Sequence, residues 1–273
     1  MTGDRPTVLV LGDQLSAEIG PLARLGPDRC RVLMVESTGL LGRHRWHRQR
    51  AHLVLSAMRH FAAELAAAGY DVDLRRAPTI AAGVAQHADE FGAERVLAMS
   101  PSSHQGREAL LAAGVELSAD ARFLTPLDEF EAWSGGRTSL RMEDFYRWQR
   151  RRLDVLMDGD EPVSGRWNHD TDNREPPPTD GRAWPDLRTF ELDAIDRDVI
   201  AELESDGDVR LFGAPPSGLW PVTRAQARQR LDDFVALALP SFGSHEDAML
   251  RDEWRLAHST LSTALNLGLL HPR

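Results

Sequence analysis

Short apolar runs alternate with stretches of helical periodicity through the first 120 residues, and this alternation restricts the fold more than any other feature. Thr7–Leu11 is a continuous run closed by Gly12, the pattern of a strand buried on both faces. Arg31–Val35 repeats the pattern and ends at Glu36. Between His47 and Gly69, Leu55, Met58, Phe61, Ala62 and Leu65 share one stripe, so a long helix is expected there, stopped by the glycine. A strand near Tyr70–Arg75, a helix over Ile80–Phe91 and a strand at Arg95–Met99 come next. A helix over Gln105–Ala113 and a short strand at Val115–Leu117 close the series. Such a chain is expected to form a Rossmann-like, doubly wound α/β domain around a five-stranded parallel sheet.

Past residue 120 the strand signal stops. Helices are expected over Pro126–Trp133, Met142–Met157, Thr223–Leu239 and Asp247–Leu270. Residues 159–186 are rich in Pro, Gly, Asp and Asn and read as a linker or a long ordered loop. Residues 191–208 hold eight acids against Arg197, the pattern of a solvated helical face. The expected division is an α/β domain over 1–130, a helix and irregular connector over 131–190, and a helical segment over 191–273. Leu256, Leu261, Leu265, Leu267, Leu269 and Leu270 make the closing helix apolar, with nothing after it to cover it but His271-Pro272-Arg273. Self-association through that helix is therefore expected.

With 42% hydrophobic and 27% charged residues in 273, the chain has the composition of a globular protein with a sizeable core. Cys30 is the only cysteine, which excludes a disulfide framework or any cluster built on several thiolates of this chain. The net charge of −10 argues against broad non-specific binding to nucleic acid. No signal peptide and no apolar run of about 20 residues is visible, so a cytoplasmic protein without a membrane partner is expected.

Gly12-Asp13-Gln14-Leu15 follows the first strand, at the carboxyl edge where doubly wound sheets bind ligands. Glu36 ends the neighbouring strand at that edge. The same residues also read as a tight turn with Asp13 as a helix cap. There is no Gly-x-Gly-x-x-Gly and no phosphate-loop lysine. His44, His47 and His52, set among arginines around Trp46, do not share one helical face, and no metal site is expected from them. Arg147, Arg150, Arg151 and Arg152 around Trp148 form a basic patch, read either as a solvated face or as a phosphate contact. Trp167-Asn168-His169-Asp170 lies in the irregular stretch, where a tryptophan among turn formers pins a loop.

Several of these stretches, in order along the whole chain, resemble the cryptochrome/photolyase family, in its bacterial iron–sulfur branch. They are Gly12–Leu15, Ala57-Met58-Arg59-His60-Phe61, Met142-Glu143-Asp144-Phe145-Tyr146-Arg147 and Leu156-Met157. Trp167–Asp170 with Asn173-Arg174, Phe242-Gly243 with Glu246–Met249, and His258–Ser262 with Leu265–Leu270 complete the set. The resemblance implies an antenna α/β domain, a long connector and the start of an all-α flavin domain. It implies a ribityllumazine or deazaflavin-type antenna chromophore at Gly12, Asp13, Gln14, Leu15 and Glu36. His258, Ser259, Thr260, Leu261 and Ser262 match part of an FAD site.

In that family excited, reduced FAD gives an electron to a pyrimidine photoproduct flipped out of damaged DNA. Members of the family are longer, so the resemblance implies a truncated chain with an incomplete FAD site and no iron–sulfur cluster. Repair activity and damaged-DNA binding are then not expected in this form. The alternative is a stand-alone module that binds the antenna chromophore without catalysis. No catalytic residue is assigned.

Overall fold

The computed structural model describes residues 5–178 and 180–273. The chain opens with β1 (Thr7–Val10), α1 (Gly20–Leu25), β2 (Arg31–Ser37) and α2 (Thr38–Arg43). It continues through β3 (Arg45–His47), α3 (Arg48–Ala67), β4 (Asp71–Ala77), α4 (Ile80–Phe91) and β5 (Val96–Met99). Then come α5 (His104–Ala112), β6 (Glu116–Ser118), α6 (Leu127–Ser134) and α7 (Met142–Leu153). A short hairpin, β7 (Met157–Asp158) and β8 (Glu161–Pro162), leads into the irregular connector. The remainder is α8 (Ala194–Ser205), β9 (Arg210–Phe212), α9 (Arg224–Asp233), α10 (Leu239–His245) and α11 (Ser262–Leu267).

Five strands form one parallel sheet in the order β4-β2-β1-β5-β6. The α/β fold expected from the alternating runs is the fold observed. Val8, Leu9 and Val10 of β1 are buried, as are Val32, Leu33 and Met34 of β2, because helices cover both faces of the sheet. Helix starts follow local capping chemistry. Thr79 accepts from Ala82 N at α4, and Ser103 accepts from Gly106 N at α5. The order reverses between β1 and β5, so the topological switch point, where doubly wound sheets open a crevice, lies between their carboxyl ends.

By its contacts the chain forms two compact units, and the boundaries differ from those at 130 and 190. The first joins Met1–Leu124 with Leu187–Asp233 and Thr260–Arg273; the second joins Thr125–Asp186 with Phe234–Ser259. In the first unit, β3 pairs in parallel with β9, and α8 packs on α3. Val199 and Leu203 of α8 share a core with Ala51 and Leu55 of α3. Ala264, Leu267 and Leu269 join the main core with Val8, Leu15, Val32, Met58 and Phe61.

The expected helix over Met142–Met157 ends at Leu153, and the one over Asp247–Leu270 is much reduced. Leu256 (φ 44°) and Thr260 (φ 54°) take left-handed conformations that interrupt the run over Asp247–Leu270, leaving α11 as a short helix. Pro240 cannot donate to the helical ladder. The run over Thr223–Leu239 is helical from Arg224 onward, as α9 to Asp233, a π turn over Phe234–Ala238 and then α10, which continues to His245. Leu267 and Leu269, expected to lack partners, lie in the core of the first unit, while Leu265 remains 42% exposed. In the second unit, Phe130, Trp133, Phe145 and Trp148 pack as an aromatic cluster with ring centroids 4.9–6.0 Å apart.

Candidate functional site

The switch point is built by the loops that follow β1, β5 and β6. Gly12 approaches α3 so closely that a methyl there would lie 2.9 Å from Met58 Sδ, so packing accounts for the glycine. Gln14 is buried, and its Nε2 donates to the carbonyls of Met99 at 3.2 Å and Ser100 at 3.3 Å, which joins the end of β1 to the end of β5. Leu15 is buried, and its N–H donates to Leu267 O at 2.8 Å. The chain's own last segment therefore closes against this loop.

Asp13 stands on the rim, with its side chain 45% exposed. Arg122 Nη1 donates to Asp13 Oδ2 at 2.7 Å and to the Asp13 carbonyl at 2.8 Å. The same guanidinium donates to Asp120 Oδ2 at 2.6 Å and to Ser102 Oγ at 2.8 Å. Burial works against the charge on Arg122, but Asp120 and Asp13 outweigh it, and its pKa is held above the usual value. The result is a charged rim in which Asp13 still offers carboxylate lone pairs to solvent. Asp120, Arg122 and Ser102 were not singled out from the sequence. Nothing local marks them, because they meet Asp13 only when β5 and β6 are added on the far side of β1.

Glu36, next to last in β2, does not join this rim. Both of its carboxylate oxygens are taken by Arg59, Oε1 by Nε at 2.8 Å and Oε2 by Nη2 at 3.0 Å. Arg59 in turn donates to Glu202 at 2.9 and 2.6 Å. Glu36 is thus the buried end of an ion-pair chain running from β2 through α3 to α8.

A Thr–His–Asp series was also missed by sequence reasoning. Thr7 Oγ1 lies 2.9 Å from His87 Nε2, and His87 Nδ1 lies 2.6 Å from Asp73 Oδ2. Thr7 is 1% and His87 0% exposed, so no substrate reaches the hydroxyl and the series serves the core.

His52 lies in the first turns of α3. It is buried on α3, with Nε2 3.2 Å from Asp196 Oδ1 of α8. Of the segment 258–262, His258 and Ser259 belong to the second unit, and Thr260, Leu261 and Ser262 to the first. Beside them, Thr263 Oγ1 is buried without a hydrogen-bond partner. In the second unit the basic patch is organised by Trp167. The Arg151, Arg147 and Arg150 guanidiniums lie 4.4, 5.4 and 5.6 Å from its ring centroid. Arg150 is itself buried and donates to the carbonyls of Val155 and Leu156, so it pins the loop after α7. No helix among the described residues is long and apolar enough to cross a membrane.

Comparison with known proteins agrees with this architecture. Residues 8–217 match the family described as "Deoxyribodipyrimidine photo-lyase-related protein". A "(6-4) photolyase" of Agrobacterium fabrum is 35% identical over 285 residues, covering 96% of this chain and 54% of the relative. An uncharacterized protein of Acanthamoeba polyphaga mimivirus is 37% identical over 41 residues, 15% of this chain and 21% of that protein. The crystal structure of a bacterial class III photolyase from Agrobacterium tumefaciens superposes with a TM-score of 0.56 at 15% identity, covering all of this chain and 52% of that one. The chain spans about half the length of the photolyases it matches. On the match over residues 8–217, the chain belongs to the photolyase-related protein family.

Proposed function

We propose that this chain supplies the pigment-holding part of a photolyase-type protein that acts in light-driven, FAD-dependent repair of pyrimidine photoproducts in DNA. The observation that carries the reading is the rim of Asp13, Ser102 and Arg122 over the switch point between β1 and β5. A ribityllumazine or deazaflavin-type pigment presents hydroxyls, and the half-exposed Asp13 carboxylate has free acceptor capacity for them. Arg122 orients that carboxylate through its hydrogen bonds to Asp13 Oδ2 and the Asp13 carbonyl. Gln14 and Leu15 form the buried floor that holds Asp13 in place.

Glu36 does not fit as a pigment ligand, because Arg59 occupies both of its oxygens. FAD, when bound, supplies the light-driven electron transfer. The buried, unpartnered Thr263 Oγ1 beside Thr260 and Ser262 is a polar group that a flavin nucleotide would satisfy. The name of the Agrobacterium fabrum relative makes a (6-4) lesion the first DNA substrate to try.

Titration of the purified chain with a ribityllumazine, followed by absorption and fluorescence, tests the reading. Saturable binding is expected, weakened roughly tenfold by Asp13→Ala, the scale of losing a charge-assisted hydrogen bond of about 1.5 kcal/mol. Absence of binding, or equal affinity in Asp13→Ala, overturns it. Parallel titration with FAD, and illumination with a (6-4)-containing oligonucleotide, separates pigment capture alone from repair.

A further inference from the structure

His52, Ser56 and His60 recur at four-residue steps along α3 and meet the first turn of α8. That turn is closed by a reciprocal cap. Asp193 Oδ1 accepts from Asp196 N at 3.1 Å, and Asp196 Oδ2 accepts from Asp193 N at 3.1 Å. The second oxygen of Asp196, Oδ1, is left over and lies 3.2 Å from His52 Nε2 and 3.7 Å from His60 Nε2. Asp193 Oδ1 lies 3.6 Å from His60 Nε2.

His52 Nε2, Ser56 Oγ, His60 Nε2 and Asp196 Oδ1 are all buried, and none of them makes a hydrogen bond of acceptable geometry. Folded proteins rarely leave even one such atom unsatisfied. Here four converge, and the Asp196 side chain is only 2% exposed.

We propose that His60 Nε2, Asp193 Oδ1 and Asp196 Oδ1 bind a divalent transition-metal ion of the zinc class, with His52 beside Asp196. The three ligand atoms lie within 4.8 Å of one another. Tetrahedral coordination with bonds of about 2.0–2.2 Å places ligand atoms about 3.4 Å apart, close to the observed separations. A mixed imidazole and carboxylate set suits zinc and its neighbours better than magnesium or calcium. Two carboxylates balance the ion's charge, and Asp193, with a side chain 54% exposed, leaves the site open to solvent for entry. The ion's role is to pin α8, and with it the chain from residue 191, to α3. The histidine spacing considered from the sequence was that of His44, His47 and His52; the cluster instead unites His52 with His60 and with acids more than 130 residues away.

Calorimetric titration of the chelator-stripped full chain with zinc, alongside circular dichroism and thermal unfolding, tests this independently of pigment or repair. A single tight site is expected, with a higher unfolding midpoint that a chelator reverses. Asp193→Asn keeps a good cap residue and therefore the fold, and should lose zinc affinity roughly tenfold or more. His60→Gln should do the same, while His44→Gln and His104→Gln should bind as the parent does. No zinc-dependent shift, or parental affinity in Asp193→Asn, overturns the proposal. So does magnesium stabilising the chain as strongly as zinc.

Discussion

Gly268 shows how a single position ties the last turn of the chain to the candidate site. Its φ is +81°, and a methyl there would lie 2.9 Å from Leu15 N and 3.3 Å from the Gln14 carbonyl carbon. Those are backbone atoms, so relief requires moving the loop that holds Asp13. Gly268→Ala is expected to cost about 1–3 kcal/mol from left-handed strain, with displacement of the loop added to it. Urea unfolding measures the first effect, and weakened ribityllumazine binding measures the second. An unchanged midpoint would show that the loop and the last turn move apart freely. Glu36 behaves differently. Removing it leaves the Arg59 guanidinium, 17% exposed, with Glu202 as its remaining carboxylate, and Glu36→Ala is expected to cost about 3 kcal/mol. Pigment affinity measured below the unfolding transition should not change. A pigment-specific loss in a stably folded Glu36→Ala would return Glu36 to the binding site. The position of Glu36 at a strand end was legible in the sequence. Its partner was not, because Arg59 sits in a helix whose apolar stripe says nothing about where its polar edge points.

At the scale of elements, α8 is the informative case. Its eight-acid neighbourhood reads as a solvated face, and most of that face is solvated, but Asp196 is buried. The Asp-x-x-Asp pattern at its start is a recognisable capping signal. What lay beyond reach was that Oδ1 of Asp196 meets two histidines of α3. Burial alone would raise the Asp196 pKa, but His52, His60, Ser56 and the Asp193 backbone hold it well below the usual carboxylate range. Burial likewise opposes charge on His60, yet Asp196 and Asp193 raise its pKa above the usual imidazole value. Each shift fixes a sign. Folding favours ionised Asp196, so that contribution is present above its unfolded pKa of about 3.9 and is lost as pH falls below it. Folding also favours protonated His60, so that contribution is present below about 6.5 and is lost as pH rises through the raised value. Metal-free protein should therefore hold α8 on α3 most firmly between roughly pH 4 and 6.5. Amide exchange of α8 against pH, with chelator present, checks this. Protection that is flat across that range and on to alkaline pH would show that the ion pairs do not hold the helix.

For the whole molecule, the strands and helices of the first 120 residues were legible because each is specified by local periodicity and caps. β2 and α4 begin where their patterns begin, at Arg31 and Ile80. What local pattern does not encode is return. Residues 187–233 and 260–273 come back to the α/β unit after long excursions in sequence, and they complete its core. Val222, Ala227, Ala264, Leu267 and Leu269 pack with Val8, Leu15, Val32 and Phe61, while Val199 and Leu203 cover Ala51 and Leu55. A fragment of residues 1–130, the antenna domain expected from the sequence, would expose the receiving side of all these contacts. Each fully buried leucine or valine contributes about 1.5–3 kcal/mol, and a domain is stable by only about 5–15 kcal/mol in total. Losing several such contacts at once takes a large fraction of that margin. The fragment is therefore expected to bind a hydrophobic dye, to show reduced near-ultraviolet circular dichroism and to unfold at much lower urea than the full chain. It should also lose pigment binding, since Leu15 no longer has Leu267 to hold its loop. A 1–130 fragment that is monodisperse, cooperative and equal in midpoint to the full chain would show instead that the returning segments are passengers on an α/β domain that folds alone.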